Sequence, residues 1–162
     1  MPVEPDFLAI LEILDRHEVE FVICGGIAAI LHGAPIMTAD LDVVYAATEE
    51  NCRRLLAATG ELEAVYFDVA RRRIVPDLPK LRGLRMHLLE TNRGRLDLMR
   101  EIGAGQGYED LVGRSEIVEL EGTKVRVLGL EAIIESKQAA GRPKDLATLP
   151  LLRALVRWEE ES

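Results

Sequence analysis

The stretch Phe21-Val-Ile-Cys-Gly-Gly26, separated by thirteen residues from Asp40-Leu-Asp42, decides the fold. Glu20 to Cys24 is short, apolar and partly β-branched, and a glycine pair bounds it, so it reads as an interior strand. Two glycines after a strand let a helix begin at once, its first N–H groups unhindered by Cβ atoms and open to a phosphate. Ile27 to His32 is the short helix expected there, stopped by Gly33 and Pro35. Asp40 to Tyr45 is the second strand. Residues i and i+2 of a strand face the same way with Cα atoms ~6–7 Å apart, so Asp40 and Asp42 project together. Two carboxylates on one face repel unless a cation lies between them.

A divalent ion relieves that repulsion. Mg²⁺ (or Mn²⁺) suits carboxylates combined with substrate phosphates. Asp97 supplies a third acid, standing alone among apolar neighbours in the predicted strand Arg95-Leu-Asp-Leu-Met99. An aspartate there costs stability unless it is paired or metal-bound. Two ions held by these acids about 3.5–4 Å apart could activate a hydroxyl and stabilise a departing pyrophosphate in an in-line displacement.

Working outward, Asp6 to His17 shows helical apolar spacing behind an Asp6 cap, and Glu49 to Ala58 repeats the period until Gly60. Residues 62–85, with Arg71-Arg72-Arg73, Pro76 and Pro79, are expected to form a helix followed by a loop. Met86–Glu90 and Arg95–Met99 flank a hairpin-like connection containing Gly94. A glycine-rich loop (Gly103, Gly105, Gly107) follows, and 117–120 with 124–128 predict a second hairpin. Residues 130–141 and 142–157 read as helices.

The fold class expected is α/β (α+β): a mixed β-sheet with flanking helices and a helical C-terminal extension. Residues 1–128 would form the catalytic unit, and 129–162 would pack on it.

Composition narrows the partners. The chain has 162 residues, enough for one conventional core. Its net charge of −8 and pI near 5.0 exclude a protein that wraps duplex DNA by charge alone. Cys24 and Cys52 have neither disulfide-scaffold nor zinc spacing. Residues 21–39 contain no Asp, Glu, Lys or Arg, but glycines and Pro35 divide them into pieces too short to span a membrane. A cytoplasmic protein with no membrane partner is expected. His32 is read as a helix-end interaction, His87 as a strand-surface residue, and Arg71–Arg73 as a solvated face before an RNA contact. A Rossmann dinucleotide site is discounted, because Gly25-Gly26-Ile-Ala-Ala-Ile lacks the GxGxxG spacing.

These residues resemble the core of the DNA polymerase β-type nucleotidyltransferase superfamily. Phe21 to Gly26, His32-Gly33 and Thr38-Ala-Asp40-Leu-Asp42 are similar to its small bacterial branch, which includes nucleotidyltransferase-like toxins of abortive-infection and toxin–antitoxin systems. Lys137-Gln-Ala-Ala-Gly-Arg142-Pro-Lys144-Asp145 resembles a basic helical motif found after the catalytic domain there. The resemblance implies transfer of a nucleoside monophosphate from an NTP to a hydroxyl on tRNA, a protein or a small molecule, with an antitoxin as possible partner. It places Gly25, Gly26 and Thr38 at the nucleotide, and Asp40, Asp42 and Asp97 at the metal. Lys137, Arg142 or Lys144 would neutralise the triphosphate, with Asp145 orienting a base. Two departures stand out. Many relatives have Ser where this chain has Gly26, and many toxin-like relatives have Arg where it has Ile36. The alternative is therefore a weakened nucleotide-binding or regulatory module on the same fold. A metal-dependent nuclease would use the same acids but has no need of Gly25-Gly26.

Overall fold

The computed structural model describes residues 4–162. Helix α1 (Phe7–Arg16) starts where Asp6 accepts the Ala9 N–H at 3.1 Å, and it buries Ile10, Leu11, Ile13 and Leu14. Strand β1 (Phe21–Cys24) is buried throughout, which explains its unbroken apolar run. Helix α2 (Gly25–Leu31) follows without a linker, two residues earlier than the sequence suggests. Gly25 has φ +65°, a turn that a side chain would strain.

Strand β2 (Asp40–Tyr45) leads to α3 (Glu49–Glu61), which Thr48 caps by accepting the Asn51 N–H at 3.2 Å. The helix continues through Gly60, because burial of Leu55, Ala58 and Thr59 outweighs the modest helix penalty of one glycine.

Residues 62–85 differ from expectation. Strand β3 (Val65–Tyr66) comes first, an irregular run follows, and the helix α4 (Leu78–Gly83) comes last. Val65 and Tyr66 pair with the distant Glu90 and Leu89. Asp77 caps α4, accepting the Lys80 N–H at 2.8 Å, and Pro79 sits in the first turn, where its missing N–H costs nothing.

Strands β4 (Met86–Thr91) and β5 (Gly94–Met99) form the expected hairpin. The glycine-rich segment is a small ribbon rather than a loop: β6 (Glu101–Ile102) pairs with β7 (Gln106–Gly107). Helix α5 (Tyr108–Leu111) and a 3-10 turn then lead to the hairpin β8 (Ser115–Leu120) and β9 (Thr123–Leu128). Helix α6 (Leu130–Ala140) ends at Gly141 with φ +63°, and α7 (Pro143–Glu161) packs back against it.

The described residues form a seven-stranded mixed sheet in the order β3-β4-β5-β2-β1-β9-β8. Strands β2 and β5 are central and parallel, as are β1 and β9. One sheet face packs Leu41, Val43, Leu89, Leu96 and Leu98 into the main core with α1 and α3. Helix α2 covers the other face over β1, β2 and β9, and α6 packs on α2. Over β4, Met86, Leu88 and Glu90 point outward and are exposed. The acids of β2 and β5 lie at the boundary between the covered and bare halves. Among the described residues no helix is long and apolar enough to cross a membrane.

His87 is not on the surface. It is fully buried on the core side of β4, bracketed by the Tyr66 hydroxyl at 2.6 Å from Nδ1 and the Tyr45 hydroxyl at 3.0 Å from Nε2. Tyr45 gives its proton to the Leu81 carbonyl, so Nε2 carries the hydrogen and Nδ1 accepts from Tyr66. Burial lowers the pKa of His87 to about 4, and the ring is neutral.

Candidate active site

Strand register brings the acids together. Asp42 on β2 lies directly beside Asp97 on β5, and Asp40 lies beside Arg95. Registered neighbours share a face, so all four side chains emerge on the half-bare side. Burial, the charge of Asp97 and the charge of Asp40 hold the Asp42 carboxyl well above the usual carboxylate range. Asp97 is raised as well, by burial and by Asp40. Two carboxyls in hydrogen-bonding reach cannot both ionise freely without a cation.

Arg95 partly meets that need. Its Nε is 3.3 Å from Asp40 Oδ1, and its terminal nitrogen is 3.8 Å from Asp97 Oδ1. Neither contact is aligned as a hydrogen bond: Asp40 Oδ1, Asp97 Oδ1 and Arg95 Nε are all buried without a partner. Orphaned carboxylate oxygens beside a third acid fit a divalent ion. Among the described residues no three such side chains form a ready-made ion cage. A divalent ion bound by these carboxylates would complete its shell with water and substrate phosphates.

The glycine turn is built against these acids. A Cβ on Gly25 would run into the Asp42 carboxylate. A Cβ on Gly26 would come within 3.0 Å of Thr38 Cβ and 3.1 Å of its hydroxyl. The Thr38 hydroxyl in turn lies 3.3 Å from both the amide nitrogen and the carbonyl oxygen of Asp40. Thus Gly25, Gly26, Thr38, Asp40 and Asp42 form one contiguous edge.

A cavity of about 420 Å³ opens beside it, lined by Gly25, Asp42, Glu101, Lys137, Arg142 and Asp145 among others. Asp145 is nearly buried at the start of α7. Burial opposes its ionisation, but Arg142 at 2.6 Å and Lys137 at 3.6 Å prevail and hold its carboxyl below the usual range. Two cations from α6 and the α6–α7 turn are thereby aimed into the cavity. Lys144 is exposed and does not line it, although its charge reaches Asp42 and Asp97.

The family model of aminoglycoside-2''-adenylyltransferase matches residues 6–148. The chain belongs to this family. As a member of the aminoglycoside-2''-adenylyltransferase family it is a nucleotidyltransferase, and solved structures agree on the fold. One is ANT(2'')-Ia in complex with adenylyl-2''-tobramycin, similar at 20% identity with a TM-score of 0.61, over 95% of this chain and 89% of that one. The solution structure of the same antibiotic-resistance factor gives 20% identity and a TM-score of 0.58, over 93% and 82%. TM1012 of Thermotoga maritima, assigned as a nucleotidyltransferase, gives 21% identity and a TM-score of 0.53, over 99% and 96%. No curated protein matches the sequence.

Of the residues singled out from the sequence, Gly25, Asp42, Lys137 and Arg142 line this cavity, Gly26, Thr38, Asp40 and Asp97 adjoin it through the glycine turn and the strand register, and Lys144 stays outside it. Three neighbours went unrecognised. Arg95 contacts two of the acids, and Arg85 pairs with Glu101 at 3.1 Å on the cavity rim. Alternation places Arg95 on the face of Asp97, a signal present in the sequence. Arg85 and Glu101 lie outside the predicted strands and carry no local signal. His32 closes the end of α2 as expected, but its Nε2 contacts the Leu128 carbonyl at 2.8 Å rather than its own helix.

Proposed function

We propose that this chain moves a nucleoside monophosphate from an NTP to a hydroxyl acceptor, with Asp40, Asp42 and Asp97 as the catalytic acids. One observation carries the reading: the Asp42 carboxylate lies against the Gly25 turn with Asp97 at its side, on the rim of a cavity that receives Lys137 and Arg142. Phosphates seated along Gly25, Gly26 and Thr38 would meet backbone N–H groups and a hydroxyl. Lys137 and Arg142, steadied by Asp145, would neutralise the leaving pyrophosphate, and Lys144 adds longer-range positive charge. Asp97 would take the acceptor's proton. Mg²⁺ (or Mn²⁺) held by Asp40, Asp42 and Asp97 would polarise the phosphate and lower the acceptor hydroxyl's pKa. Residues 1–128 would supply the acids, and 129–162 the cationic wall. The first three residues of that unit lie outside the described chain.

The acceptor is the finer question. A tobramycin hydroxyl is the acceptor implied by the adenylylated product bound to ANT(2'')-Ia. tRNA and protein side chains remain the other classes for this chain. The reaction belongs in the cytoplasm, where NTP and Mg²⁺ are supplied. The toxin reading predicts growth arrest on expression, relieved by Asp42→Asn and by an antitoxin.

The deciding assay is Mg²⁺-dependent release of pyrophosphate from NTP by wild type and Asp42→Asn. Equal release by both rejects the assignment. Absence of NTP binding in calorimetry would favour the regulatory-module reading, which the hydroxyl-free Gly26 and the uncharged Ile36 support.

A further inference from the structure

The bare half of the sheet forms a platform leading to the acids. Register aligns Phe67, Leu88, Asp97 and Asp42 in one row across β4, β5 and β2, with Phe67 continuing β3 through its N–H bond to the Leu88 carbonyl at 2.9 Å. Phe67 is 53% exposed and Leu88 39%. With strands about 4.8 Å apart, the Phe67 ring stands about 10 Å from Asp97. The Arg95 guanidinium lies 5.8 Å from the centre of that ring.

Beside Phe67 a tight turn presents Arg71 to Arg73. Asp68 builds the turn, accepting the Arg72 N–H at 2.9 Å and pairing with its guanidinium at 2.8 Å. Arg71 and Arg73 are exposed and make no ion pair among the described residues. Arg73 lines two neighbouring cavities of about 640 and 560 Å³. Residues 65–100 carry nine Lys and Arg against four Asp and Glu, whereas the rest of the chain carries 11 against 24. This window is thus net positive within an acidic chain, and its Arg71 and Arg73 are exposed beside Phe67. On this side Glu101 pairs with Arg85, and the exposed Glu90 lies in register with Arg95.

We infer that this platform receives the end of a single-stranded nucleic acid. Its terminal base would stack on Phe67, its phosphates would lie on Arg71 and Arg73, and its terminal hydroxyl would reach Asp97. The inference rests on the nucleotidyl-transfer reading and specifies its acceptor. The hydroxyl oxygen bonds to the α-phosphorus of the NTP, and the bond from that phosphorus to the bridging oxygen of the β-phosphate breaks. Pyrophosphate leaves with the electron pair, and the hydroxyl proton passes to Asp97.

The test uses the full chain, Mg²⁺, NTP and a 5′-labelled single-stranded oligoribonucleotide of about 12 nucleotides, a length within the range such grooves bind. Extension by one nucleotide is expected, and a 3′-deoxy end abolishes it. Arg71→Ala/Arg73→Ala should weaken binding at least tenfold and reduce the logarithmic salt slope by about 1.4, two phosphates' worth. The KM for RNA should rise with little change in kcat. Phe67→Ala should weaken binding about tenfold. Lys124→Ala/Arg157→Ala, on the acidic part of the chain, should bind RNA as wild type does. RNA left unextended while an aminosugar supplied with the same NTP is nucleotidylated overturns the inference, as does equal RNA affinity in the double-arginine variant. Calorimetry with NTP and Mg²⁺ separates the two levels. Nucleotide binding without RNA extension removes only the acceptor assignment, whereas no nucleotide binding removes the transfer reading as well.

Discussion

Gly25→Ala tests the closeness of the glycine turn to the acids. Two costs arise. Gly25 has φ +65°, and a side chain in the left-handed region costs about 1–2 kcal/mol. At the 2–4 °C per kcal/mol typical of a chain this size, the melting temperature should fall by about 2–8 °C. The second cost falls on function. The new methyl would occupy the position of the Asp42 carboxylate, so one of them must move. A displacement of about 1 Å costs about 100-fold in rate. Thermal melts paired with Mg²⁺-dependent pyrophosphate release measure both. Gly60→Ala is the control: Gly60 lies within α3 with no heavy atom within 4 Å of its would-be Cβ. The same added methyl should there stabilise by about 0.5–1 kcal/mol and leave activity intact. Full activity in Gly25→Ala would refute the argument whatever happened to its melting temperature.

Asp42→Asn should abolish transfer yet stabilise the metal-free protein. A carboxyl raised in the fold binds more protons folded than unfolded, so stability declines as pH rises from the ordinary carboxylate range toward the raised value. Melts in EDTA at pH 5 and pH 8 should show that decline in wild type and a smaller one in the variant. His87 acts in the opposite direction. Its pKa of about 4 lies below the unfolded value, so the unfolded chain binds the extra proton and stability falls as pH drops from 6.5 toward 4. The slope is about 1.4 kcal/mol per pH unit, and denaturant titrations of His87→Gln should lack it between pH 6.5 and 5. Asp145→Asn should cost about 1.5–3 kcal/mol through its lost charged hydrogen bonds and raise KM for NTP by releasing Arg142 and Lys137. An unchanged KM would show that Asp145 does not orient them.

The elements that sequence reading located share a local cause. Asp6 and Thr48 cap helices, β1 is buried along its whole length, and the Asp-x-Asp spacing puts two acids on one face whatever surrounds them. The failures share a non-local one. Val65 and Tyr66 become a strand because Glu90 and Leu89 offer an edge, and nothing within residues 62–85 announces that partner. His87 alternates with apolar residues as a surface strand residue would, but it alternates inward, satisfied by Tyr45 and Tyr66 from two other segments. The meeting of Asp42 with Asp97 depends on a register between strands more than fifty positions apart. Only the oddity of a lone acid in an apolar strand hinted at it.

The parallel pairing of β2 with β5 has an evolutionary corollary. Everything encoded between those strands, from α3 to β4, leaves the middle of the sheet and returns at its rim. Insertions or deletions in residues 67–77 can therefore lengthen, shorten or recharge the rim without shifting the central register. A lineage could exchange one acceptor for another by editing that peripheral turn, while the chemistry at its centre stayed as it was.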